Sequence, residues 1–243
     1  MLKLYKLSAL LLLTIISSSV VTPLNAAKSP INQTQKHQIR SNYLALSVFQ
    51  RIVKLFRRKK PPKGGRGSIC LIAPQRLDDP VSKVQGTEEI WSLNPLFLWN
   101  LKSGEVKKIE LFEKGSNEVF WSKEIPAGET SLIYDGEPLK PGKSYEWRII
   151  ANAPFPMKSI SAEFKVMQYQ KRLPITIRLA LLENHLNKQG ANAEKIALEK
   201  ASYFAQKELW SDFVGEIYKV KNPSIELQRK KQQLQSPEFC NWH

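Results

Sequence analysis

Three histidines, two cysteines and a scatter of carboxylates are the side chains in this 243-residue chain best suited to catalysis or metal binding. Their spacing organises neither. His37 lies in a basic stretch, His185 falls near the end of an expected helix and His243 is the last residue. None has a Ser, Cys or carboxylate neighbour at triad spacing, so a triad would need partners distant in sequence. Cys240-Asn241-Trp242-His243 has the spacing of half a metal site, but no matching second half occurs. Gly64-Gly65-Arg66-Gly67 follows a proline pair rather than a strand and lacks the Lys-Ser/Thr ending of a phosphate loop. Glycoside hydrolysis needs two carboxylates flanking one bond, and nothing singles out two of Glu88, Glu89, Glu118, Glu124 and Glu146. The expectation is a non-enzymatic protein with no cofactor and no metal.

Six tryptophans raise a different chemistry, the stacking of sugar rings on aromatic faces. Trp91, Trp99, Trp121 and Trp147 fall in expected strands, where aromatic area is ordinarily buried. A glycan-binding role would require at least one of them to be exposed.

Positioning elements begin with the N-terminus. Lys3 and Lys6 precede an apolar run from Leu7 to Val21, and Ala26-Ala27 follow Pro23. That order predicts a secretory signal peptide over 1–27 and an exported protein, periplasmic or secreted. An uncleaved N-terminal anchor is the alternative, because Leu24 and Asn25 match the −3 position poorly. In an oxidising compartment Cys70 and Cys240 are free to pair, tying the tail to the start of the folded part; two independent thiols are the other reading.

The net charge of +15 is concentrated in one place. Residues 28–68 hold eleven basic residues and no acidic one, the first 27 residues add two charges, and the remainder is close to neutral. Nucleic acid is therefore not an expected partner. Within that segment Leu44, Val48, Ile52 and Leu55 recur at helical spacing, and Pro61-Pro62 end the pattern. The expected basic amphipathic helix offers Arg51, Lys54, Phe56, Arg57, Arg58, Lys59 and Lys60 to an anionic membrane surface or an envelope protein. A solvated linker, or a helix docked on the body, explains the same pattern.

From Ile69 the period becomes two. Strands are expected at 90–99, 106–112, 119–123, 131–134, 145–151 and 161–167, separated by Gly- and Pro-rich turns. Leu139-Lys140-Pro141-Gly142-Lys143-Ser144-Tyr145-Glu146-Trp147 resembles the entry to the penultimate strand of fibronectin type III and immunoglobulin-like domains. There the tyrosine hydroxyl bonds to upstream backbone. An antiparallel β-sandwich over 69–168 follows. Residues 169–235 read as helical: 175–186 after Pro174, then 193–209, a turn at 210–212, a helix from Phe213 to Pro223, and 224–234. Residues 236–243 form a tail. The stretch 193–221 resembles a tetratricopeptide-like hairpin, with Phe213 where a small residue is usual. A lone unit of that kind must pack on a neighbour. The fold class is thus α+β, an immunoglobulin or fibronectin III-like sandwich followed by a C-terminal helical hairpin region.

Three stretches, Gly64–Cys70, Asn94–Trp99 and Tyr203–Val220, resemble a group of exported cyanobacterial proteins that share a domain of unknown function. The resemblance implies an extracytoplasmic location and a sandwich-plus-helix layout, and no activity. The functional expectation is an adaptor of the cell envelope, with a glycan-binding module as the alternative.

Overall fold

The computed structural model describes residues 69–75, 87–152, 159–236 and 239–240. They form an α+β fold of two mostly antiparallel sheets and four helices. The smaller sheet joins β1 (Ile69–Ala73), β3 (Leu96–Leu101) and β6 (Ser131–Ile133) in the order β1-β3-β6. The larger runs β2-β8-β7-β4-β5, with β2 (Glu88–Ile90), β4 (Glu105–Glu113), β5 (Val119–Glu124), β7 (Ser144–Asn152) and β8 (Ser159–Val166). The pairing of β2 with β8 is parallel, which the expected all-antiparallel pattern did not include. The helices are α1 (Tyr169–Lys188), α2 (Ala193–Gln206), α3 (Trp210–Tyr218) and α4 (Ile225–Leu234).

The side-chain pattern of each strand reports how many of its faces are covered. β7 alternates: Tyr145, Trp147, Ile149 and Ala151 are buried between the sheets, while Glu146 and Arg148 point outward. One covered face gives that period. β1 reads Ile-Cys-Leu-Ile-Ala and is buried throughout. Ile69 and Leu71 join the core between the sheets, and Cys70 and Ile72 join a second core beneath the helices. β3 divides likewise, with Phe97 and Trp99 on one side and Leu96 and Leu98 on the other. The smaller sheet is therefore the middle layer of three, which is why its strands are apolar on both faces.

Helix ends follow the sequence. Asn192 caps α2 by accepting from Lys195 N at 2.8 Å, and Ser224 caps α4 by accepting from Leu227 N. Glu208 takes a positive φ of 59° and separates α2 from α3. Trp210-Ser211-Asp212, read from sequence as a turn, is the first turn of α3. α1 starts six residues earlier than expected and carries Pro174 inside it, close enough to the N-terminus to forfeit a single helical bond.

Cys70 and Cys240 are joined in a disulfide, with Cα atoms 5.9 Å apart and a sequence separation of 170. The bridge seats the tail so that Phe239 stacks on Trp210 at 5.7 Å.

Candidate functional site

Residues 88–92 are where the helices are fastened to the larger sheet. Asp212 on α3 accepts the backbone N–H groups of Trp91 at 2.7 Å and Ser92 at 2.8 Å. Glu88 accepts from the hydroxyl and backbone N–H of Ser211. From α1, Arg172 Nε donates to the Trp91 carbonyl at 2.8 Å, and Thr176 Oγ1 accepts from Trp91 Nε1 at 3.1 Å. Trp210 Nε1 reaches across to the Ile72 carbonyl at 2.9 Å. These bonds explain why the expected strand 90–99 is two strands in different sheets. Asp212 takes the two N–H groups that would have continued the ladder, and Pro95 has none to give.

Burial raises the Asp212 carboxyl to about 7, against the opposing pull of its two backbone N–H bonds and of Lys219. A buried carboxyl titrating near neutrality suits a general acid or base. Yet the adjoining cavity, lined by Ile90, Leu96, Ser211 and Gly215 among others, holds about 10 Å³, room for about one water. Asp212 is therefore a fastener with an unusual charge state, not a group facing a substrate.

The fastening fixes which side of α1 faces outward. Ile175, Leu179 and Leu186 are buried against the body. Tyr169, Leu173, Ile177 and Leu181 follow one another at four-residue intervals and are 60%, 41%, 52% and 58% exposed. Residues four apart share a helix face, so these four form one outward apolar stripe. Among the described residues, half of the eight exposed large hydrophobic residues lie on this stripe. Around it α1 carries Arg178, Lys188 and Lys171, the last paired with Glu89, while Arg172 is turned inward to Trp91; its single acidic residue, Glu183, pairs with Lys200 on α2 at 2.6 Å. The helix is too polar to cross a membrane; none of the described helices is long and apolar enough.

Of the residues expected to act, Arg51, Lys54, Phe56, Arg57, Arg58, Lys59 and Lys60 lie outside the described residues, as do the expected signal peptide, His37 and His243. His185 contacts Gln189, the residue that caps the C-terminal end of its helix. Glu89 pairs with Lys171 and Glu146 with Arg148. Among the described residues no three His, Cys, Asp or Glu side chains gather as metal ligands would. Trp99 and Trp147 are fully buried, and Trp91 and Trp121 are partly so. Among the described residues the exposed aromatic ones are Phe120 on β5 and Tyr169 on α1. The sequence does not single out the α1 stripe because the helix is apolar on two sides, with Ile175, Leu179 and Leu186 on the inner one.

No protein-family model matches this chain, and no curated protein matches it. Among solved structures it is similar to astrotactin-2, described as a conserved vertebrate-specific and perforin-like membrane protein involved in neuronal development. The identity is 12% and the TM-score 0.23, over 71% of this chain and 37% of that one. A likeness so slight carries no argument about function.

Proposed function

We propose that this protein is a non-enzymatic adaptor of the bacterial cell envelope that docks on an anionic membrane surface through the outer face of α1. The observation that carries the reading is the stripe Tyr169, Leu173, Ile177 and Leu181, rigidly presented and bordered by basic residues. An amphipathic helix lying in the interface plane buries such a face among acyl chains while its cations meet lipid phosphates. Tyrosine at one end suits the headgroup level. The basic segment 28–68 adds eleven charges of the same sign and so works in the same direction. Export and the resemblance to extracytoplasmic cyanobacterial proteins belong to the same proposal.

The sandwich is read as immunoglobulin-like. Its first, third and sixth strands pair in one sheet, while the fourth, seventh and eighth form the middle of the other. The Tyr145 hydroxyl accepts from Lys140 N at 2.9 Å, the bond a tyrosine corner requires. α2 and α3 are read as the helical hairpin that holds α1 in place.

Sedimentation of the full chain with vesicles tests the docking. Binding to vesicles rich in phosphatidylglycerol, weakened by salt and absent with phosphatidylcholine alone, is the expected result. Equal binding to both compositions, or to neither, would count against it; a protein partner on the stripe would then be the next candidate.

A further inference from the structure

Among the described residues, two further hollows stand out on the surface. The larger, about 530 Å³ between α1, α2 and α3, is lined by charges already matched in pairs, Lys200 with Glu183 and Lys219 with Glu216. It leaves little for a ligand to satisfy. The other, about 360 Å³, lies at one end of the sandwich between the β4–β5 connection and the segment that enters β7. Its walls include Phe120, Tyr134, Tyr145, Glu113, Glu118 and Glu137.

The polar inventory of that pocket is one-sided. Tyr134 is 2% exposed, lines the pocket, and its hydroxyl makes no hydrogen bond among the described residues. The hydroxyl is not sealed off, since Trp99 Nε1 is the buried side-chain polar atom without a partner among the described residues; the Tyr134 hydroxyl is open to water, or to a donor or acceptor of a ligand in the pocket. The Tyr145 hydroxyl already accepts from Lys140 N and keeps a second lone pair. Glu113 is paired with Lys143, whereas Glu118 and Glu137 form no ion pair among the described residues. Counting both Lys140 and Lys143 against the three carboxylates still leaves one negative charge in excess. The ring of Phe120, about half exposed, packs 5.7 Å from that of Tyr145 and gives the pocket an aromatic wall.

Acceptors in excess, net negative charge and aromatic faces together call for a flat, cationic, donor-rich group. A guanidinium has five N–H donors in one plane and stacks on aromatic rings, properties an ammonium or a neutral sugar does not combine. We infer that the pocket between Phe120, Tyr134, Tyr145, Glu118 and Glu137 binds a guanidinium group, the head of an arginine side chain. The site is separate from the α1 stripe and stands whether or not that face meets a membrane.

The test is a nuclear magnetic resonance titration of the full chain with N-acetyl-arginine methylamide and with the corresponding citrulline compound, a neutral isostere. Saturable shifts of the Phe120, Tyr134 and Tyr145 rings with the arginine compound, and binding at least about tenfold weaker with citrulline, are expected. Free arginine is run beside them. Binding of both arginine forms points to a peptide side chain as the source, and binding of the free form alone points to the amino acid. Tyr134→Phe and Glu137→Gln should each weaken binding several-fold with the melting temperature unchanged, since Glu137 is exposed and the Tyr134 ring is retained. Equal shifts from citrulline, no saturable shift from either arginine form, or binding of chitobiose at these rings with arginine silent would overturn the inference.

Discussion

Replacing Ile177 and Leu181 together by glutamine removes the C-terminal half of the outer α1 stripe without adding charge. The two side chains are 52% and 58% exposed, so about half of each is still available to bury on docking. Full burial of such a side chain is worth about 1.5–3 kcal/mol, which leaves about 1 kcal/mol per residue for the membrane to gain. Losing about 2 kcal/mol over the two residues lowers the partition constant by roughly 30-fold. The fold should not notice. Glutamine is a good helix former, and exposed substitutions ordinarily change stability by under about 0.5 kcal/mol. Sedimentation with anionic vesicles measures the first quantity and a thermal melt the second. As a control, Ile175→Gln on the buried side of the same helix should lower the melting temperature instead. Wild-type partitioning by the Ile177→Gln, Leu181→Gln protein, with its fold intact, would refute the argument that this face does the docking.

Three other perturbations follow from the interior. Reducing the Cys70–Cys240 bridge opens a loop of 170 residues and frees Phe239 from Trp210; a loss of about 2–5 kcal/mol is expected by denaturant unfolding with and without reductant. Asp212 titrates at about 7 in the fold against about 4 in the unfolded chain, so the folded state keeps a proton that the unfolded state has released between those values. Its contribution to stability therefore falls as pH rises from 4 to 7 and is level above that, by about 4 kcal/mol at most. Besides the backbone of Trp91 and Ser92, the groups that act on it are Glu216, Lys219 and Arg172. Asp212→Asn should remove this slope, and a difference between wild type and variant that is constant with pH would contradict it. Gly136→Ala would place a Cβ 2.6 Å from Tyr134 Cζ and 2.8 Å from Trp121 Cδ1, and the overpacking should cost about 1–3 kcal/mol in an unfolding experiment.

What the sequence disclosed depended on how local the cause was. The alternation in Tyr145–Ala151 is set by one buried face, and the Pro141-Gly142 turn before it positions the tyrosine within five residues of its partner. Both were legible. The break in 90–99 was not, because the carboxylate that causes it lies about 120 residues away on α3. The parallel β2–β8 pairing was hidden for the same reason: three residues, Glu88–Ile90, hold no pattern of their own. α1 was legible as a helix but not as a site. An apolar residue at position 177 looks the same in sequence whether it faces the core or the solvent. Tertiary bonds, Arg172 to Trp91 above all, decide which. The Tyr134–Phe120 pocket had no signature either, since its walls come from β4, β5 and β7 and from the two connections β4–β5 and β6–β7.

The docking claim is met most directly by methyl and ring resonances recorded with nanodiscs of anionic lipid that carry a paramagnetic headgroup. Broadening of Leu173, Ile177, Leu181 and the Tyr169 ring, with Ile175, Leu179 and the exposed sandwich residues Val119 and Ile133 left sharp, is the predicted result. Broadening of Val119 and Ile133 with the α1 methyls unaffected would place the membrane on the sandwich and contradict the account.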